Sequence, residues 1–226
     1  MEDINDLPLP IFTIDESWEE IKHIPIKRGF DIIFSALVLG LLLPLFLIIA
    51  FCIYLSSPGS VIYYQKRIGR GGKTFRCYKF RTMVQNAEAK LQDILQNDEE
   101  LRKEWNQTYK LKKDPRITTI GAFLRKTSLD ELPQFWNVLK GDLSVVGPRP
   151  VVKEELDKYF GEERYKILSI RPGITGLWQI SGRSDILCYK ERIRLDKHYV
   201  ENHSLLLDTK IVWKTIFVMI GAKGAY

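Results

Sequence analysis

Between Asp31 and Lys66 the chain carries no charged residue, and residues 32–55 are almost wholly apolar. Twenty-four helical residues would reach about 36 Å, enough for a hydrocarbon core of about 30 Å. An ordinary buried helix of a soluble domain is seldom so long and so uniform. A straight span is disfavoured by Pro44, which lacks the amide that would bond the carbonyl of Gly40 and so bends a helix. Basic residues stand on both sides: Lys27 and Arg28 before, Lys66, Arg67 and Arg70 after. Such flanks prefer the cytoplasmic side, so two of them predict a segment that enters and returns on one face, with Pro44 at its apex. A span kinked at Pro44 is the alternative.

Charge bears on partners. Lys+Arg 34 exceed Asp+Glu 28, for a net charge of +6, yet residues 1–24 hold Glu2, Asp3, Asp6, Asp15, Glu16, Glu19 and Glu20 against the single base Lys22. The rest is therefore more basic than the total implies and suits lipid headgroups, nucleotides or nucleic acid. The acidic segment lacks the basic start of a signal peptide and reads as a peripheral extension. Cys52, Cys77 and Cys188 show no paired spacing, which argues against a disulfide framework or a zinc site and for a reducing compartment.

A β-hairpin is predicted from Val61-Ile-Tyr-Tyr-Gln65, the Gly-rich turn Gly69-Arg-Gly-Gly72 and residues 73–82. Gly72-Lys73-Thr74 resembles the tail of a P-loop, but Arg67 occupies the required earlier glycine position. Lys79 and Arg81 alternate with Tyr78, Phe80 and Thr82, so both cations share a strand face and form a candidate phosphate-facing pair. Residues 84–107 read as one long amphipathic helix, with packing as its role.

The chemistry concentrates at Arg125-Lys-Thr-Ser-Leu-Asp-Glu131. The adjacent carboxylates Asp130 and Glu131 precede a helical pattern that opens at Pro133 and stops at Gly141. An ionised pair can hold a divalent metal or attack an electrophilic phosphorus, and Arg125 and Lys126 supply charge for a phosphate-bearing substrate. Read locally, Ser128-Leu-Asp-Glu131 is equally a capping box that merely starts a helix. Downstream, Pro148 and Pro150 fix the backbone on both sides of Arg149, so its guanidinium is held stiffly for a phosphate. Residues 152–168 read as a helix, and Arg171-Pro-Gly-Ile-Thr-Gly176-Leu-Trp-Gln-Ile-Ser-Gly-Arg183 as a loop able to bring amides and a flat ring to a nucleotide. Residues 205–221 are apolar but interrupted by Asp208, Lys210 and Lys214, which suits a helix lying along a membrane surface.

Six blocks occur in order: Lys27-Arg28-x-x-Asp31 before the Pro-broken apolar stretch, Tyr78-Lys-Phe-Arg-Thr-Met83, Leu124-Arg-Lys-Thr-Ser-Leu-Asp-Glu-Leu-Pro-Gln134, Asn137-Val-Leu-Lys-Gly-Asp142, Val146-Gly-Pro-Arg-Pro150 and Arg171-Pro-Gly-Ile-Thr-Gly176. Together they resemble the bacterial sugar transferase family, the monotopic polyprenyl-phosphate phosphoglycosyl transferases, over residues 25–226. One departure is Leu43, where relatives often carry Ser before the kinking proline. The resemblance implies transfer of a sugar 1-phosphate from a UDP-sugar to undecaprenyl phosphate at the cytoplasmic face of the bacterial inner membrane, with release of UMP. It makes Asp130 the nucleophile of a phosphosugar–aspartyl intermediate and Glu131 its helper. It places Mg²⁺ on Asp130 and Glu131, and phosphate on Arg125 and Arg149, with Lys79 and Arg171 as further members. The Leu177–Arg183 block and Gly224-Ala-Tyr226 look most like exopolysaccharide or O-antigen initiating members, which favours a hexose (galactose or glucose) over an N-acetylated sugar. A homodimer is compatible with such an enzyme, although nothing in the sequence specifies one.

The expected architecture is α/β and α-rich: an acidic extension over residues 1–24, a re-entrant membrane helix-break-helix over residues 25–60, and a catalytic domain over residues 61–226. In that domain a small antiparallel hairpin packs among helices, some of them interfacial and amphipathic. Two other readings are a membrane-anchored scaffold for polysaccharide assembly and a tethered nucleic-acid-binding protein. The first would be favoured by a missing acid or arginine, and none is missing. The second is opposed by cations interleaved with turns and carboxylates rather than arrayed along a recognition helix.

Overall fold

A computed structural model describes residues 25–108, 111, 113–182 and 188–220. The acidic extension, Arg183 and the Gly224-Ala-Tyr226 terminus lie outside the described residues.

Helices α1 (Pro25–Leu41) and α2 (Leu43–Ser56) meet at a bend of 61°. The break falls at Leu42, and Pro44 is the second residue of α2, where its missing amide costs no helical bond. The proline thus starts the second helix rather than forming the apex itself. No single helix among the described residues is long and apolar enough to cross a membrane, whereas the bent pair is so by length and composition. Its outward side chains, among them Leu37, Leu41, Leu47, Phe51 and Leu55, are exposed, while Ile49 and Ile53 pack on Phe80, Leu124 and Leu132.

The polar start of α1 is fastened into the domain. Lys27 Nζ donates to Asp208 Oδ2 (2.6 Å), the Val146 carbonyl (3.0 Å) and Tyr199 Oη (3.2 Å). Arg28 donates to the carbonyls of Val138 and Leu139, and buried Asp31 accepts from Ser144 Oγ and the Val145 amide, both at 3.0 Å. The two cations expected to act as a topological flank are therefore structural partners.

Strands β1 (Ile62–Ile68) and β2 (Thr74–Phe80) pair antiparallel, as the sequence predicts. The amphipathic stretch that follows is two helices, α3 (Ala87–Asn97) and α4 (Glu99–Thr108), not one. Asp98 is extended and its Oδ1 accepts the Leu101 amide, so it caps a new helix while the apolar spacing runs on. After α5 (Thr119–Thr127) and α6 (Gln134–Lys140), strand β3 (Ser144–Val146) pairs in parallel with β4 (Gly173–Thr175). This second sheet is not foreseen by the expected antiparallel hairpin. It depends on a close backbone approach: a Cβ on Gly147 would lie 2.6 Å from the Arg171 carbonyl oxygen. The helix expected over residues 152–168 is likewise split, into α7 (Lys153–Tyr159) and α8 (Glu163–Ile167), by Gly161 at φ +47°. Helix α9 (Leu177–Ile180) follows β4 inside the stretch expected to be a loop.

Helices α10 (Tyr189–Asn202) and α11 (Leu205–Ile220) close the domain. Asp208 and Ile211 of α11 face inward, and Leu206, Trp213, Ile216 and Phe217 are exposed. The α/β, α-rich class holds, with two small sheets rather than one.

Candidate active site

Thr118 starts α5 by accepting the Gly121 amide on its hydroxyl, and the helix ends at Ser128. With φ 57°, Ser128 is the one non-glycine residue in the left-handed region among those described, at a cost on the order of 1 kcal/mol. That reversal feeds a single 3-10 turn, Leu129–Glu131, ahead of α6. The capping box is not formed: Ser128 makes no side-chain cap bond, and the Glu131 carboxylate turns to Lys79. Asp130 points inward with 8% of its surface exposed.

The pair's electrostatics follow from this turn. Burial, then the charge of Glu131, pushes the Asp130 carboxyl up to about 6, against the pull of Lys79 and Arg125. Lys79 Nζ donates to Glu131 Oε1 at 2.7 Å. Burial alone would lower Lys79, but Glu131 and Asp130 override it and hold the ammonium above its ordinary value. Arg125 bonds Thr82 Oγ1 through Nε at 3.0 Å, and burial lowers its guanidinium while Asp130 and Asp114 draw it back up. Asp130, Glu131, Lys79 and Arg125 thus come together from β2, α5 and the turn.

A side chain that sequence reasoning overlooked holds this arrangement. Asn137, fully buried in α6, accepts the Tyr78 amide and donates to the carbonyl of Arg76 and to Asp142 Oδ2. It pins β2 beside Lys79 to the helix that follows the acidic pair. Its signal was legible: an Asn within the apolar run Phe135-Trp-Asn-Val-Leu139 has nowhere to bond but inward.

Arg149 is held by a different set of partners, on α9 and α10. Its amide donates to Asp196 Oδ2 (3.3 Å), and its guanidinium stands 5.2 Å over the Trp178 ring. Burial pushes the Asp196 carboxyl up to about 7, moderated by the Arg149 amide and charge. Two candidates lie elsewhere. Arg171 donates from Nε to the Gly141 carbonyl, beside Arg28 and Arg70; with Arg28 it caps the carboxyl end of α6. Arg81 donates to the carbonyls of Ser57 and Pro58, so it is not the phosphate-facing partner of Lys79.

Among the described residues no group of three or more His, Cys, Asp or Glu could enclose a metal ion. Asp130 and Glu131 offer two hard oxygen donors whose mutual repulsion a cation would relieve. That donor set fits an ion completing its shell with water and substrate oxygens, the habit of Mg²⁺.

Comparison with known proteins points the same way. The family model described as bacterial sugar transferase matches residues 22–222. The chain is 48% identical over 200 residues to the exopolysaccharide production protein ExoY of Sinorhizobium fredii, covering 88% of each. It is 48% identical over 201 residues to the UDP-galactose-lipid carrier transferase of Erwinia amylovora. The identity is again 48% over 201 residues to the undecaprenyl-phosphate galactose phosphotransferase of Salmonella typhimurium. Those alignments cover 89% of this chain but 42% of each of those longer proteins.

Proposed function

The chain belongs to the bacterial sugar transferase family, and from that premise we propose that it moves a sugar 1-phosphate from a UDP-sugar to undecaprenyl phosphate. The observation that carries this reading is the buried Asp130, pushed up to about 6 beside Glu131 and flanked by Lys79 and Arg125. A carboxylate so placed is a poor surface ion and a good nucleophile for a phosphate already neutralised by cations.

In the first half-reaction an Asp130 oxygen forms a bond to the sugar-bearing phosphorus. The bond from that phosphorus to the bridging oxygen breaks, and its electron pair leaves with UMP. In the second, a phosphate oxygen of undecaprenyl phosphate attacks the same phosphorus, and the bond to Asp130 breaks to restore the carboxylate. Lys79 and Arg125 bind the crowded anionic oxygens, and Glu131 holds Lys79 in place. Mg²⁺ held by Asp130 and Glu131 would supply charge neutralisation at the diphosphate. The donor is proposed to be a UDP-hexose, galactose before glucose, since two of the compared relatives bear galactose in their names.

The site is proposed to face the cytoplasm at the inner membrane, with α1–α2 as a re-entrant wedge. Supporting a return path, both ends of the bent pair are bonded to one folded domain: Lys27 and Arg28 at the start, and Arg81 to Ser57 and Pro58 at the finish. The exposed apolar face of α11 suits the same surface. The test is UMP release from a panel of UDP-sugars by purified protein with undecaprenyl phosphate and Mg²⁺, with and without chelator. Metal-dependent release with one hexose is expected, and no release by folded protein with any sugar would overturn the reading.

A further inference from the structure

Thr82 has no part in the reaction above, yet its side chain and its backbone both hold the helix that carries Arg125. It follows the end of β2 by two residues, is buried, and has a branched side chain with little rotational freedom. Its Oγ1 accepts Arg125 Nε at 3.0 Å. Helical side chains lean toward the helix N-terminus, so Arg125 reaches back along α5 to make this bond. Nε carries one of the five guanidinium N–H groups. The other four, on Nη1 and Nη2, make no hydrogen bond among the described residues. Thr82 thus grips the guanidinium at its root, and the end-on fork remains for a ligand.

The Thr82 carbonyl holds the first turn of the same helix. It accepts the Thr118 amide at 3.1 Å and the Thr118 hydroxyl at 3.4 Å. Gly121 packs so closely on it that a Cβ there would lie 2.0 Å from the Thr82 oxygen. Glycine costs a helix about 1 kcal/mol relative to alanine, and this approach is the reason for it here. The chain after Thr82 is tied down as well. Met83 bridges Ile117, and the Val84 amide donates to the Arg116 carbonyl at 2.9 Å. Arg116 is itself locked, with Nε on Asp114 Oδ1 (2.8 Å) and Nη2 on Asp114 Oδ2 (2.7 Å), both side chains buried. Ahead of Thr82, β2 fixes Lys79 opposite Tyr63. A stretch of three peptide units therefore joins the residue that bonds Glu131 to the residue that bonds Arg125, and it is anchored at both ends.

A clamp of cations on a phosphate works only where its members are held, and a misplacement of about 1 Å can cost ~100-fold in rate. We propose that Thr82 is a positioning residue: its hydroxyl aims the Arg125 fork at the phosphate that Asp130 attacks, and its carbonyl sets the spacing between Arg125 and Lys79. This rests on the transferase reading above. A bond that served stability alone would affect folding and leave the turnover of folded protein untouched. A positioning bond lowers that turnover, and its effect disappears once Arg125 is gone.

The test is UMP release by the full chain in lipid nanodiscs, with undecaprenyl phosphate, Mg²⁺ and the UDP-sugar that the parent turns over fastest. Rates are taken at a temperature where thermal melts show every variant folded. Thr82→Val keeps the shape and the backbone bonds and removes the acceptor, so kcat should fall ~10-fold or more. Thr82→Ser, which keeps the hydroxyl, should recover most of that loss. In an Arg125→Met background, Thr82→Val should cost less than ~2-fold further. A full ~10-fold loss in that background would overturn the proposal, as would parental kcat in Thr82→Val or equal rates in Thr82→Ser and Thr82→Val. If Thr82→Val does not fold, Thr82→Ala against Thr82→Ser decides, since both lack the branched methyl and only Ser keeps the acceptor. Equal kcat in those two overturns the proposal, and kcat at least ~5-fold higher in Thr82→Ser upholds it. Any of these overturning results from a parent that releases UMP refutes the positioning role and leaves the transferase reading standing. A folded parent that releases none from any UDP-sugar refutes both.

Discussion

Lys79 and Glu131, 52 residues apart in sequence, meet at 2.7 Å across the gap between β2 and the turn that precedes α6. That contact decides how the two adjacent acids differ: Glu131 is neutralised and directed outward, and Asp130 is left inward with a raised carboxyl.

Replacing Lys79 with Met removes a fixed cation from the developing phosphate charge and takes from Glu131 its 2.7 Å ammonium partner. UMP release is expected to fall ~100-fold or more. Lys79 also lowers Asp130, so the acid limb of the rate profile should move to higher pH in the variant. A residual profile with an unmoved acid limb would count against this coupling.

Asp130 → Asn should abolish turnover and stabilise the metal-free protein. The folded carboxyl lies near 6, above its ordinary value of 3.8, so the folded state takes up a proton between those values. Stability is then lost as pH rises through about 6, and the ionised form costs roughly 2–3 kcal/mol above it. Thermal melts across pH 4–8 check this: the variant's advantage should grow between about 4 and 6 and then level off.

Asn137 → Leu keeps the branching of the side chain and removes the bonds to Arg76, Tyr78 and Asp142. A loss of about 3 kcal/mol is expected in denaturant unfolding. Because β2 is then no longer pinned beside Lys79, UMP release should fall even at temperatures where the variant is fully folded.

Lys27 → Met strands Asp208, which is 1% exposed, without its cation. A cost of ~3–5 kcal/mol is expected, much of it recovered by Asp208→Leu in the same chain. Cysteines introduced at 26 and 66 and labelled in intact vesicles should react from the same side. Opposite-side labelling would make the bent pair a span.

Arg171 → Gln should lower stability by about 1–2 kcal/mol through the lost cap on α6 and leave the KM for UDP-sugar unchanged. A raised KM at unchanged stability would restore Arg171 to the substrate site.

Elements whose signals are local were legible in the chain itself. The Gly-rich hairpin turn, the Pro133-to-Gly141 helix, the proline break and the apolar stretch each depend on residues within a few positions of one another. Where apolar spacing runs through a break it misleads. The helix read over residues 84–107 is divided at Asp98, because one side chain caps a new helix without disturbing the period. The β3–β4 pair left no trace, since three-residue strands 29 positions apart (Ser144 with Gly173) carry no periodic signal.

The sequence by itself determined the adjacent acids, the family blocks that surround them and the Pro-interrupted apolar stretch, because these are properties of residue type and order. Only the tertiary structure decided which cation serves which carboxylate. It gave Arg171, Arg81, Lys27 and Arg28, expected as phosphate ligands or membrane flanks, backbone and side-chain partners inside the domain. A side chain's charge is written in the sequence; its neighbours depend on contacts between distant segments.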